Sequence, residues 1–323
     1  MLRLKSILKI DKLEMDFVNE VKVSSSWKNL TDTCTIKLPR ALKTKKGLYL
    51  KEYLWYGAEV SFSCGYEEYG IIERFKGYIT SFNADTAVAE IKCEDEMFKL
   101  KQTSKLNKTF ASGDVEAILS WLKKETKSTW DYEILGDNIQ VGTVIFEKLS
   151  AAKCLLKLKD DYGLVCFFRD GKLIVGKPYE TDFSKLVKRQ FEYGRNVISW
   201  KELKWRSKDE AKLKVKVTNH LPDGTKKEIT IGDEEGEERS LDFYNRNDSD
   251  LKKEAQALYD RMKYDGYRGK IMAFGEPFVK HGNVAVIQDW RLPVRDGEYF
   301  IDGVETTLKV ASLRQEITLG PKL

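Results

Sequence analysis

Alternation constrains this chain more than any other feature. Apolar residues recur at every second position in short runs, and turn residues separate the runs. That is the pattern of half-buried antiparallel strands, not of helices. Cys34, Ile36 and Leu38 fall on one side of a strand, with Thr33, Thr35 and Lys37 on the other; Val60, Phe62 and Cys64 repeat the pattern. Phe75–Phe82 and Val88–Cys93 then form an expected hairpin across Asn83, Ala84 and Asp85. These runs, rich in β-branched and aromatic residues, predict a small closed or nearly closed β-barrel over residues 1–103. Lys43–Trp55 reads as a long loop between two of its strands.

From about Thr103 the period changes. The segment Ser112-Gly113-Asp114 is placed to cap a helix in which Val115, Ile118, Leu119 and Leu122 form one stripe. Ser150 precedes a second amphipathic segment with Leu155, Leu158 and Tyr162 on one side, ending near Gly163. Asp170-Gly171 between Leu164–Phe168 and Lys172–Val175 marks a tight hairpin. A mixed α+β domain is therefore expected over 104–190. Strands return over 191–323, at Val197–Trp200, Ala211–Thr218, Lys226–Ile231, Tyr267–Phe274, Val284–Asp289, Glu298–Ile301, Thr306–Val310 and Leu313–Leu319. Asp233–Glu238 reads as an acidic loop, and Ser249 as the cap of a helical insertion around 249–264. The two β regions echo one another: Gly57–Phe62 matches Gly282–Ile287, and Phe75–Ile79 loosely matches Gly297–Ile301. The echo suggests an internal duplication.

Composition removes several functions. Lys+Arg 56 against Asp+Glu 51 leaves a net charge of only +5, far from the massed cations of a nucleic-acid glue. The longest apolar stretches fall well short of the ~20 residues a membrane helix needs, and the N-terminus has no continuous apolar signal region. The five cysteines are widely spaced and read as small buried hydrophobes, while His220 and His281 read as surface turn residues. Neither catalytic nor metal-binding residues emerge, and no cofactor is implied, because phosphate-cradling glycine motifs are lacking. The carboxylate groups Asp160-Asp161, Glu94-Asp95-Glu96 and Glu234-Glu235 read as solvated surface, since neighbouring side chains on a strand diverge. Lys37, Arg40, Lys43, Lys45 and Lys46, close to Tyr49, Tyr53 and Trp55, are the one basic and aromatic segment that would suit single-stranded nucleic acid.

Three strings resemble the tail-hub family of phages and phage-derived injection machines: late-control D proteins, contractile-tail baseplate hubs and the N-terminal region of type VI secretion spike proteins. They are Phe75–Phe82 with Ala89–Leu100, then Leu155–Gly176, and finally Gly297–Leu308 with Leu313–Gly320. The resemblance implies a fold mainly β with an α+β insertion, in which two similar small β-barrels flank a mixed domain and three chains form a ring. It also implies a non-enzymatic hub, in the virion tail assembled in the bacterial cytoplasm, that joins a hexameric tail tube to a threefold spike. Its partners would be its own copies in a homotrimer, a tail tube or distal tail protein, a spike or fibre protein and a tape-measure protein. The genome would pass through the lumen without specific binding, and no membrane insertion is expected. The chain stops after the last expected barrel strand, so any needle or wall-cutting enzyme would be a separate protein.

Candidate subunit contacts are the basic Lys43, Lys45 and Lys46 against the acidic Glu234 and Glu235 of a neighbour, with Tyr53, Trp55, Phe278 and Trp290 as aromatic anchors near loops. Two readings from other classes stay open: a cytoplasmic β-barrel that binds single-stranded nucleic acid, and a cell-wall hydrolase of a tail tip.

Overall fold

A computed structural model describes residues 3–42, 49–136, 139–177, 179, 185–200, 202–208, 210, 212–221, 225–244 and 246–323. Strands dominate it. The chain opens with β1 (Leu4–Ile10), β2 (Leu13–Met15), β3 (Glu20–Ser26), β4 (Thr33–Pro39), β5 (Glu59–Tyr66), β6 (Ile72–Asn83) and β7 (Val88–Glu94), then the short helix α1 (Met97–Lys101). A mixed region follows: β8 (Leu106–Asp114), α2 (Val115–Thr126), β9 (Asp131–Leu135), β10 (Gln140–Leu149), α3 (Ala151–Tyr162), β11 (Val165–Arg169) and β12 (Lys172–Gly176). Next come β13 (Lys188–Glu192), β14 (Val197–Ser199), β15 (Leu203–Arg206), β16 (Leu213–His220), β17 (Lys226–Gly232), β18 (Glu237–Tyr244) and α4 (Asp248–Met262). Finally β19 (Gly266–Phe274), β20 (Val284–Gln288), β21 (Gly297–Lys309) and β22 (Ser312–Lys322) complete the chain.

The two β regions are parts of one 14-stranded sheet, running β14-β19-β22-β21-β3-β4-β7-β6-β5-β1-β2, with β15 joined to β19, β20 to β21 and β13 to β20 off this path. Their joint is the antiparallel pair β21·β3, from Gly303 opposite Ser26 to Lys309 opposite Glu20. Each region wraps its own apolar core. Leu8, Val21, Ile36, Phe62, Ile79 and Ile91 fill the first; Phe191, Ile271, Ile287, Tyr299, Ile301 and Ile317 fill the second. Alternation produces this directly, because β4 and β7 bury every second residue and leave the intervening ones partly or fully exposed. Leu308 and Leu313, at the tip of the last hairpin, reach into the first core.

The internal duplication appears in the pairing. The order β5-β6-β7-β4 repeats as β20-β21-β22-β19, antiparallel at every step. Outside that block β3 lies antiparallel to β4 as β14 and β15 lie to β19. The other flank differs: β1 is antiparallel to β5, whereas β13 is parallel to β20. The hairpin ends also reset the sequence echo. Asn83 and Lys309 both close a strand, which aligns Phe75–Asn83 with Ile301–Lys309 and sets Gly77 against Gly303. The expected match to Gly297–Ile301 was out of step.

In the mixed region Asp114 caps α2 by accepting from the Glu116 amide, and Ser150 caps α3 through the Lys153 amide. Their stripes, Val115–Leu122 and Leu155–Leu158, pack with Val144, Phe146 and Leu173 in one core. Gly163 ends α3 in the left-handed region at φ +64°, and Asp170-Gly171 turns β11 into β12 with both φ positive. β16, β17 and β18 form a separate sheet under α4, around Leu213, Val215, Val217, Leu251 and Ala255.

Some expectations fail for local reasons. Asn247, not Ser249, caps α4, because its side-chain oxygen accepts from the Asp250 amide. Glu298–Ile301 and Thr306–Val310 belong to one strand, β21, running through Asp302-Gly303 with two register shifts. The acidic stretch from Glu237 onwards is strand β18, parallel to β16, instead of loop.

Candidate functional site

Three parts of the chain meet at the β21·β3 joint, and polar groups hold them there. Asp302 is 3% exposed. Its Oδ1 accepts from Trp27 Nε1 at 2.9 Å and from Tyr179 Oη at 3.1 Å, and its Oδ2 pairs with Lys28 Nζ at 2.5 Å. Ser26 Oγ donates to the Asp302 carbonyl at 2.8 Å. Trp27 also packs on Val165, Phe167 and Ile174, the second face of the β9·β12·β11 sheet, and meets the Tyr179 ring edge-on at 5.0 Å. One aspartate thus ties the β3–β4 turn, the stretch after β12 and β21 together.

Beside this node lies a cavity of about 470 Å³, bounded by β3, β6, the β7–α1 turn, the β11–β12 hairpin and the β19–β20 connection. Arg74, whose side chain is 1% exposed, spans from β6 to that connection. Its Nε donates to the Cys64 carbonyl at 3.2 Å, its Nη2 pairs with Glu276 at 3.1 Å, and its guanidinium lies 3.9 Å from the Phe278 ring centre. On the opposite wall Arg169 Nη2 donates to the His281 carbonyl at 2.7 Å and meets His281 Nδ1 at 3.1 Å. Burial, then the Arg169 and Lys280 charges, push the His281 pKa well down, so the ring is neutral.

Two carboxyls complete the wall. Asp32 accepts from Ser25 Oγ and the Ser26 amide, while its own amide donates to Asp95 Oδ2 at 3.0 Å. Asp95 Oδ1 accepts from the Met97 amide at 3.0 Å. Burial raises Asp95 to about 8, with the Asp32 charge adding to it, and raises Asp32 to about 6. The expectation that Glu94-Asp95-Glu96 is solvated surface therefore fails at Asp95, which is 7% exposed and turned inward by its two backbone donors. His281, at 3% exposure, is likewise buried and not a surface turn residue. The sheet shared by both β regions draws the β19–β20 connection inward.

The expected contact residues are scattered. Lys43, Lys45 and Lys46 lie outside the described residues. Trp55 is 53% exposed, with Nε1 donating to Asp11 at 2.7 Å. Tyr53 is half-buried against the first core. Glu234 and Glu235 stand exposed in the turn before β18, Glu235 within 3.5 Å of Lys212. Trp290 is 63% exposed in the β20–β21 turn, under Arg291. Phe278 is half-buried, stacked on Arg74 within the same chain. Asp302, Trp27, Arg74 and Arg169 escaped sequence reasoning; the one available signal was a charged residue breaking an apolar strand run.

This arrangement is cohesive chemistry. All five cysteines are buried, and burial raises the thiols, Cys64 to about 11 and Cys93 and Cys154 to about 12. Among the described residues no group of three or more His, Cys, Asp or Glu side chains is placed to hold a metal ion, and no helix is long and apolar enough to cross a membrane.

No family model matches the sequence, and no curated protein matches it either. Solved structures do match. A tail protein from Neisseria meningitidis aligns over 99% of this chain and 96% of its own, with TM-score 0.67 at 14% identity. The 43 kDa tail protein of prophage MuSo2 from Shewanella oneidensis aligns over 98% and 97%, with TM-score 0.63 at 16% identity. This chain has the tail-hub fold. A type VI secretion component from Escherichia coli, described as structurally similar to the T4 tail proteins gp27 and gp5, shares it over 99% of this chain and 76% of its own, with TM-score 0.60 at 13% identity. The tail-hub fold therefore extends over the whole chain, the mixed region and the α4 sheet included.

Proposed function

We propose that the protein is a structural hub of a phage-type tail, a homotrimeric ring that joins a hexameric tail tube to a threefold spike or fibre and carries no catalysis. In this reading residues 1–103 and 191–323 are the two tube-forming units, and 104–190 is the inserted domain. One observation carries it. Four antiparallel steps separate β6 from β21 along the shared sheet, so these equivalent strands point the same way. The two units thus repeat in one direction across the sheet, and a ring would continue that repeat as a rotation about an axis along the strands. Three chains with two such units each present six similar faces.

The internal joint also supplies a template for the joint between chains. On β21, residues 303–309 take β3 as a second neighbour. On β6, strand β5 ends opposite Tyr78, and Gly57 and Ala58 extend it to Ile79. The matching edge of Thr80–Asn83 has no second strand among the described residues. An unpaired edge is a docking site in an assembly and a liability outside one. A β14 edge from the next chain fits the place that β3 holds within the chain, with Tyr53, Trp55, Trp290, Glu234 and Glu235 as further contacts to neighbours or to tube, tape-measure and spike partners. Light scattering after size exclusion tests the ring: a particle of about 112 kDa, three times the chain mass of 37.3 kDa, is expected, and a monomer would overturn it.

A further inference from the structure

The β11–β12 hairpin of the mixed region sits on the β19–β20 connection through contacts that converge on one imidazole. His281 takes two side chains of β11: the Phe167 ring meets it edge-on at 4.8 Å, and Arg169 Nη2 reaches its Nδ1 at 3.1 Å. The same Nη2 donates to the His281 carbonyl at 2.7 Å. Among the described residues the guanidinium has no other hydrogen-bond partner, and its Nε is buried without one. Gly282 leaves room for this seat, since a Cβ there would lie 2.4 Å from Arg169 Nη2. The other polar contact, Asp170 with Lys280 at 2.6 Å, joins exposed side chains and adds little.

We propose that Arg169 and His281 form an acid-released latch between the mixed region and the second β region. A guanidinium can only donate, so Nδ1 is the acceptor and the neutral ring carries its proton on Nε2. Protonation turns Nδ1 into a donor aimed at a donor and brings two cations into contact. Arg169 cannot keep the carbonyl bond and avoid that clash, because carbonyl and ring belong to one residue. The charges that act on the ring, Arg169 and Lys280, are both positive, and with burial they hold it neutral. The carboxylates nearby are engaged elsewhere: Asp170 with Lys280, Glu276 with Arg74 and Glu96 with Lys99. Glu73 and Lys76 on β6 are exposed. Asp32 and Asp95 are bound by Ser25, Ser26, Met97 and one another, all within the first β region. A neutral substitute at 281 leaves their titration in place.

Hydrogen exchange of the full chain, read by mass spectrometry from pH 7 to pH 5, tests the latch. His281→Gln offers Arg169 an oxygen acceptor but cannot take a proton, and the carboxyl titrations are common to both proteins. Protection of residues 165–176 and 275–283 in wild type, divided by that in His281→Gln, should fall about tenfold or more over this range. The sign is that of a lowered pKa. The seat is complete above the ordinary imidazole value of ~6.5 and is lost as pH falls, by at most tenfold per unit, because the freed ring binds the proton that the seated ring excludes. Protection in β4 and β7 should stay above that of the hairpin throughout, the mark of a local opening. Arg169→Met is the second reference: it removes the cation, so hairpin protection should already be low at pH 7 and show no histidine-dependent slope. A level ratio between wild type and His281→Gln would overturn the proposal. So would a wild-type slope in Arg169→Met, or exchange of the hairpin together with β4 and β7 at every pH. The latch lies within one chain, so its failure leaves the ring reading standing, and a monomeric protein would leave the latch standing.

Discussion

Gly77 shows how tightly single residues bind this sheet. A Cβ there would sit 2.0 Å from the Glu94 carbonyl oxygen, which is backbone and cannot step aside. Gly77→Ala should therefore break the β6·β7 register and cost several kcal/mol, about 3 or more on the scale of strained or overpacked core positions; a urea midpoint within error of wild type would contradict this. Asp302→Ala removes the acceptor shared by Trp27 and Tyr179 and should cost about 2–4 kcal/mol, the range for a buried group stripped of its partner. Lys28, with its side chain 55% exposed, turns to water and adds little. Faster hydrogen exchange in the β11–β12 hairpin would mark the loss of its anchorage. At Asp95 the sign of the pH effect is set by burial. The folded carboxyl binds its proton more tightly than the unfolded one, with a pKa of about 8 against an ordinary ~3.9. Its contribution is complete below pH ~4 and is lost as pH rises through 8, so stability should fall between pH 5 and 9. Asp95→Asn, which cannot ionise, should flatten that slope while lowering stability at pH 5, because one of the two backbone donors loses its oxygen acceptor. An unchanged slope in denaturation midpoints would refute the assignment.

Elements were legible where their signals are local. Asp114 and Ser150 lie next to the helices they cap, and the Asp170-Gly171 turn needs only its own dihedral angles, so α2, α3 and the β11–β12 hairpin follow from short windows of sequence. β21 was illegible for the opposite reason. Asp302-Gly303 reads as a turn because the groups that satisfy Asp302, namely Trp27, Lys28 and Tyr179, are more than 120 residues away in the chain. Long separation also hides Asp95, 63 residues from Asp32, and His281, 112 residues from Arg169. Each carries an ordinary surface residue name, and only the convergence of β3, β6, β11 and the β19–β20 connection buries it. The node residues are thus invisible in sequence because their partners are supplied by topology. The duplication lay between these extremes: period two announced both β regions, but the true alignment of Phe75–Asn83 with Ile301–Lys309 needed the hairpin ends.

At the scale of the whole molecule the shared sheet makes a specific demand on assembly. If the β21·β3 joint is the template, the next chain must meet the outer edge of β6, where Phe82 is 42% exposed at the end of the strand. A lysine on such an edge blocks strand addition, because its charge would have to be desolvated against a neighbouring backbone. Phe82→Lys should leave the fold intact, since the residue already faces water, and should convert a particle of about 112 kDa into one near 37.3 kDa. The change should persist at high salt, because it removes backbone pairing and not a surface ion pair. Ile145→Lys, at a position 55% exposed on β10 and off the shared sheet, is the matched control and should leave the trimer whole. If Phe82→Lys stayed trimeric, the ring would have to close elsewhere, and the six-unit geometry would need a joint unlike the one inside the chain. Dissociation by Phe82→Lys alone would locate the contact between chains where the duplication puts it, at the counterpart of the strand pair that already holds the two halves of one chain together.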